Sequence, residues 1–416
     1  MVGNKTPNSR KEIIKRLTGF PQKSSPLQYL GCPIFIGRKS KYLFNGFVDS
    51  IKLRINSWSK NCLSSGGRIT LIRSVLSSIP VHLISVLQPP KGTLHDIEMI
   101  LANFLWGERQ GTAKFHWRKW ENLCFPTSEG GIGIRSLQDL CEAYSIKFWW
   151  KFREKNSLWA DFLHAKYIGH SHPSLARKLK NSSHVWRRMV ECRELAETYI
   201  TWEINEGNIS SLWDNWLGEK ALGLSAMTYD CPIKNFISND RWNLEKIVDW
   251  MPNFPISLLN PRLLDPQPHK PDSMIWKLSS TGEFTLKSAY HLVRSKNSSS
   301  LADEKIWHVV LPQKISFFMG NLWRFRIPTD DIISKLQING PSICDCCFAD
   351  LEYIEHLFSR GPRAEFIWNF FENSLGIFCA PRPFWTRCSF WWNAKSNNPL
   401  LQLVYQIIPS FISWFI

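Results

Sequence analysis

From residue 42 to residue 106, apolar positions recur every three or four residues, the period of one face of an α-helix. In GGRITLIRSVLSSIP, residues 66–80, Ile69, Ile72, Leu76 and Ile79 fall on one stripe, with Arg68 and Arg73 off it. In TLHDIEMILANFLW, residues 93–106, Ile97, Ile100, Leu101, Phe104 and Leu105 form a broad apolar face. Thr93 and Asp96 have capping-box spacing, with Asp in place of Glu. The N-terminus predicts a basic amphipathic helix: Ile13, Ile14 and Leu17 on one side, Lys11, Lys15 and Arg16 on others, Gly19 as the stop. SSPLQYLGCPIFIG, residues 24–37, predicts strand and turn, and residues 138–167 return to helix with Trp149, Trp150 and Trp159.

Elsewhere the pattern breaks. The glycines at 130, 131 and 133 are not followed by the Lys-Ser/Thr of a phosphate loop and predict a turn into a short strand. HSHPSLARKLKNSS, residues 170–183, reads as a linker, and SLWDNWLG as a packed tryptophan cluster (Trp213, Trp216) holding one acid, Asp214. Residues 252–272 are proline-rich and predict extended chain. DSMIWKLSSTGEFTLKSAYHLV predicts a hairpin turning at Thr281-Gly282, then a helix from Lys287; KNSSSLADEK, residues 296–305, predicts a flexible loop. The apolar C-terminal stretch is short for a membrane span and contains Gln402, Gln406 and Pro409, so it reads as a packed helix. The expected fold is mainly α. A basic helical domain over 1–170 precedes a linker and Trp/Pro-rich connecting region with short β-hairpins over 171–272. A small helical module over 273–375 and the apolar segment 376–416 follow.

Charge sharpens this division. Residues 1–200 hold 31 Lys+Arg against 14 Asp+Glu, or +17, while residues 201–416 hold 20 against 21, or −1. Such a field suits a polyanion, most simply RNA or DNA held through its phosphates; the bland alternative is a soluble basic protein with no specific anion. Eleven cysteines and an opening without an apolar leader segment point to free thiols in the nucleus or cytoplasm rather than to secretion.

One stretch carries recognisable chemistry. In CDCCFADLEYIEHLFSRGP, residues 344–362, Cys344 and Cys347 precede His356 at spacings that suit zinc. A closed structural site requires a fourth donor a few residues on.

Taken in order, YLGCPIFIGR, SGGRITLIRSVLSSIP, ANFLWG, HWRKWENLCFP, EGGIGIRSL and SLWDNWLG closely resemble the downstream part of plant LINE-type (non-LTR) retrotransposon reverse transcriptases. IWKLSSTGEFTLKSAY, PQKISFFMGNLWRFRIPT and CDCC…EYIEHLF resemble the zinc-binding module that follows the polymerase there. The resemblance covers nearly the whole chain and implies a thumb, a connecting region and a zinc module. It places the fingers and palm, with the aromatic-x-Asp-Asp metal motif, before residue 1, and a ribonuclease H domain after the zinc module. It also implies a fourth cysteine five residues beyond His356, where this chain has Gly361. Cys346 adjoins Cys347 and is expected to point elsewhere; Cys379 and Cys388 are not placed by sequence. The metal-free alternative is a helical module held by Trp323, Phe358, Phe366 and Trp368.

The expectation is a nucleic-acid-binding remnant, not an enzyme, with zinc at an incomplete site formed by Cys344, Cys347 and His356. Phosphate contacts are expected from the thumb-like residues Arg38, Lys39, Lys41, Lys60, Arg68 and Arg73, without a membrane partner. Asp330-Asp331 begin a helix, where acids are favoured electrostatically, rather than holding catalytic metals. The alternative is an inert or protein-interaction fragment of a retroelement gene; an active polymerase or nuclease is disfavoured because its carboxylates are missing.

Overall fold

The apolar stripes become helices in a computed structural model. It describes residues 6–19, 27–35, 37–59, 63–107, 114–223, 229–239, 241–252, 254, 256–259, 270–337, 343–377 and 382–416. The fold is mainly α, with three two-stranded antiparallel sheets among the described residues. The chain divides into two compact units, Met1–Trp120 and Glu121–Ile416.

In the first unit, helix α1 (Asn8–Thr18) ends where Gly19 adopts a left-handed conformation and donates to the Lys15 carbonyl; it buries no residue. Strands β1 (Leu27–Tyr29) and β2 (Cys32–Ile34) form a hairpin about Leu30-Gly31. Helices α2 (Asn45–Ser59), α3 (Ser65–Leu71), α4 (Ile79–Val86) and α5 (Lys91–Trp106) follow. A π-helical turn, Ile72–Leu76, lies between α3 and α4. Residues Ser65–Val86 are long and apolar enough to cross a membrane, with mean hydropathy 1.6; in this unit Ile69, Ile72, Leu76, Leu83 and Ile84 from this run are buried. The capping-box expectation is corrected. Helix α5 starts two residues before Thr93, after Pro90; Thr93 is buried within it, and Asp96 pairs with Lys41.

Short helix α6 (Trp120–Leu123) spans the boundary between the units. In the second unit, the run 130–134 forms no strand. The N–H groups of Gly131, Ile132 and Gly133 instead donate to Pro126, Leu123 and Phe125, and a Cβ at Gly131 would overlap the Phe125 carbonyl. Helices α7 (Leu137–Glu154), α8 (Leu158–Leu163) and α9 (His184–Thr198) pack around Trp149, Trp150, Trp186 and Trp276.

Residues 170–183, expected as a linker, are packed. The Trp186 indole donates to the Arg177 carbonyl, and Ala176 and Ser182 are buried. His172 Nε2 lies 3.3 Å from Asp214 Oδ1. Asp214 and Glu197 both engage the guanidinium of Arg153, which is 4% exposed, so its charge is balanced inside the core. Burial raises the Asp214 carboxyl's pKa, but Arg153 beside it outweighs this and holds it well below the ordinary carboxylate value.

Strand β3 (Ile200–Glu203) precedes β4 (Ile237–Ser238) and β5 (Arg241–Trp242), which pair with each other, and helix α10 (Leu244–Trp250). Trp216 enters the core with Phe236, Trp250 and Phe254. Most of the proline-rich stretch 252–272 lies outside the described residues; Ile256–Leu258 form a 3₁₀ turn. Strand β6 (Ser273–Trp276) departs from the hairpin expectation. Its chain turns through Gly282, but its ladder partner is β3, with Ile200 opposite Trp276. Helix α11 (Leu286–Val293), capped by Thr285, starts one residue before Lys287.

Residues 296–305 are likewise held in place. Asn297 donates to Glu129, and helix α12 (Leu301–Ile306) buries Asp303 against Arg324. Helices α13 (Gln313–Leu322), α14 (Asp330–Lys335), α15 (Pro362–Leu375), α16 (Phe384–Asn393) and α17 (Pro399–Phe415) complete the unit. The C-terminal stretch is α17, which contains Pro409 and packs against α12, α13 and α16. Phe358, Trp368, Phe384 and Trp391 form the core here, with Trp323 packed on it; Phe366, expected to contribute, is 74% exposed.

Candidate metal centre and basic surface

The segment between α14 and α15 folds back sharply. Ile343 bridges Leu351, Cys344 N–H donates to the Asp350 carbonyl at 2.8 Å, and Phe348 N–H donates to the Cys344 carbonyl at 2.9 Å. The reversal presents both sulfurs of the Cys-x-x-Cys pair toward His356, which opens a π-helical turn, His356–Arg360. The ligand atoms of Cys344, Cys347 and His356 all lie within 4.8 Å of one another.

The Cys347 sulfur is 3.2 Å from His356 Nε2. Two corners of a tetrahedral zinc site with ordinary Zn–S and Zn–N bonds would stand about 3.5 Å apart. Asp350 Oδ2 approaches the other ring nitrogen, Nδ1, at 3.4 Å, leaving Nε2 to face the sulfurs. A carboxylate on the far nitrogen orients and strengthens a histidine ligand. Burial raises the Cys344 thiol's pKa, whereas the Ala349 backbone N–H chiefly lowers that of Cys347.

Gly361 explains what is missing. A Cβ there would fall 3.2 Å from His356 Nε2 and Cε1, so a side chain at this position would point into the donor cluster. The residues fit three corners of a zinc site, and the fourth corner faces a residue without a side chain. Cys346 is exposed and outside the cluster, Cys388 is buried in the α16 core, and Cys379 lies outside the described residues. Asp350 is the contributor that sequence reasoning missed. Its signal was an acid three residues after Cys347.

The basic candidates occupy varied settings. Arg38 is exposed and Lys39 half-buried; Lys60 lies outside the described residues. Lys41 Nζ pairs with Asp96 at 2.7 Å, with both side chains about half exposed. Arg68 donates to the Leu105 carbonyl at 3.4 Å, and its guanidinium lies against Gly107 at the end of α5. Burial lowers the pKa of Arg73 in the π-helical turn. Lys41 and Arg68 thus mark stations along α5 nine residues apart, about 13 Å at the helical rise. Asp330 and Asp331 lie in the first turn of α14, where Asp331 accepts from Thr329 at 2.7 Å and pairs with Lys335 at 3.4 Å.

The two units differ sharply in charge. Residues 1–120 hold 19 Lys+Arg against 5 Asp+Glu, or +14; residues 121–416 hold 32 against 30, or +2.

Residues 284–368 match the family model described as zinc-binding in reverse transcriptase. The match includes Cys344, Cys347, His356 and Gly361. The chain is also 28% identical over 353 residues to a protein of Arabidopsis thaliana that carries the name of a ribonuclease H protein. That alignment covers 81% of this chain and 57% of the relative's length. Together these similarities support a retroelement origin for the chain.

Proposed function

We propose that this chain is the nucleic-acid-holding part of a LINE-type, non-LTR retroelement reverse transcriptase. In this reading the first unit grips the sugar–phosphate backbone of a template–primer duplex, and the second carries the zinc module. The observation that carries it is the charge division: +14 on the first unit against +2 on the second. Phosphate contacts position a duplex without reading its sequence, and an uneven cationic field is their electrostatic requirement. The uncovered helix α1, with Arg10, Lys15 and Arg16 exposed, adds cations to those stationed along α5.

The Lys41–Asp96 pair does not disqualify Lys41. Exposed pairs of this kind are worth about 0–1 kcal/mol and exchange readily for a phosphate. Arg68 and Arg73 also support the fold, so Arg38 and Lys41 are the first contacts expected. Cys344, Cys347 and His356 would hold zinc, with Asp350 orienting the histidine. When bound, the metal would staple the 344–361 fold rather than react. The reading assigns no bond-making step to this chain.

A competing reading is a protein-interaction fragment, favoured by apolar residues left uncovered on α1: Ile13 is 54% and Leu17 80% exposed. Binding to an RNA–DNA hybrid in rising salt discriminates the two. Four phosphate contacts give a log–log slope of about −3.6, whereas binding that is absent or insensitive to salt overturns the proposal.

A further inference from the structure

A pocket of about 400 Å³ opens beside the first turns of α7, between the run into that helix and α11. Its apolar lining includes Ile134, Leu140 and Leu286, and Tyr290 and His291 supply rings whose centroids are 6.1 Å apart. The Tyr290 hydroxyl accepts from Ser136 N–H at 3.2 Å, tying α11 to the N-cap of α7 and fixing that wall.

Arg135, Lys287 and Arg294 also line the pocket, and among the described residues no carboxylate does. Arg294 is already neutralised by a two-point contact to Glu129, at 2.6 and 2.8 Å. Arg135 and Lys287 are exposed and have no ion-pair partner among the described residues. The local cationic field is also felt by His291: burial, then Arg294 and Lys287, push its pKa down. The larger hollow near Trp150 offers a contrast, for Glu154, Glu203 and Glu283 line it beside its lysines.

We infer that this pocket takes one unstacked nucleotide of a single strand, its base against Leu286 and the Tyr290–His291 rings, its phosphate on Arg135 and Lys287. The inference rests on the nucleic-acid-holding reading but assigns the second unit a separate role. A phosphate alone would leave the apolar wall uncovered, and a paired base would first have to be unpaired and unstacked at a cost of a few kcal/mol that a single strand avoids. A nucleobase with its sugar fits a pocket of this size, and a flexible strand leading away from the gripped duplex can supply one.

The test uses the full chain and two photoreactive single strands, a 4-thiouridine RNA 12-mer and a 4-thiothymidine DNA 12-mer. Adducts mapping to residues 124–140 or 286–294 with either strand support the pocket, and comparing the strands assigns the sugar. Arg135→Glu with Lys287→Glu should reduce adduct yield about tenfold and flatten the single-strand salt slope by about 1.4, leaving hybrid binding unchanged. An adduct confined to other segments, or a yield unmoved by the exchange in a chain with unchanged circular dichroism, overturns the inference. Hybrid binding without a single-strand adduct overturns the pocket alone; failure to bind either nucleic acid overturns the parent reading as well.

Discussion

Gly361 faces the imidazole of His356, and a Cβ at 361 would stand 3.2 Å from Nε2. Its backbone φ of −68° and ψ of 154° suit any residue. The close approach is instead to the His356 carbonyl oxygen, 2.5 Å from that Cβ and nearer than a Cβ can stand to a backbone oxygen, so a larger residue requires the backbone of the turn to move. Gly361→Cys should supply the fourth thiolate and tighten zinc binding by on the order of 100-fold, about 2.7 kcal/mol. Competition with a chelator measures this, and the cobalt(II) spectrum should gain thiolate intensity. Unchanged affinity would show that position 361 does not reach the metal.

Asp350 should matter through the histidine rather than by touching the metal. Asp350→Asn should weaken zinc binding by about 10-fold, whereas His356→Ala should weaken it far more. Isothermal titration of the two variants separates the roles; equal losses would make Asp350 a ligand.

A second pair supports the same module from beneath. Arg387, 1% exposed, donates to Glu372 Oε1 at 2.8 Å and to the Ser359 carbonyl at 3.2 Å, and its guanidinium lies over Trp368 at 5.2 Å. Ser359 belongs to the turn that begins at His356, so this arginine ties the turn to α15 and α16. Glu372→Ala strands a buried charge and should cost about 3–5 kcal/mol in urea unfolding. Replacing both residues by apolar ones of similar volume should recover much of that loss.

Glu129 gives a pH signature. The Arg294 hydrogen bond is the main cause lowering its carboxyl from the ordinary 4.5 to about 2. A depressed carboxyl favours the folded state above its unfolded pKa, so its contribution is complete above pH 4.5 and fades as pH falls toward 2. Glu129→Gln should lower stability at pH 7 and flatten the profile within that window, as read from urea midpoints at stepped pH. A parallel profile would assign the acid sensitivity to other carboxylates.

Local signals were legible in the sequence where the physics is local. The stripe through Ile69, Ile72 and Leu76 marked buried helix positions, Gly19 marked a helix end, and the Cys344-x-x-Cys347…His356 spacing anticipated the donor cluster. Partners distant in sequence were not legible. Trp276 lies opposite Ile200 in a ladder that no nearby turn specifies, so β6 looked like half of a local hairpin. Residues 170–183 looked like a linker because their polar composition conceals that His172 meets Asp214 and that the Arg177 carbonyl accepts from Trp186. Leu286 and Arg135 come together only through the packing of α7 on α11, so no sequence spacing announces the pocket.

The central claim is that the first unit's cations hold nucleic acid through its phosphates. The most direct measurement is the salt dependence of RNA–DNA hybrid binding by the full chain, beside a variant with Arg10, Lys15, Arg38 and Lys41 replaced by Gln. The account predicts a native slope of about −3.6 or steeper, made shallower by about 3.6 in the variant. A native chain that ignores the hybrid in dilute buffer, or a variant that binds with an undiminished slope, would contradict it.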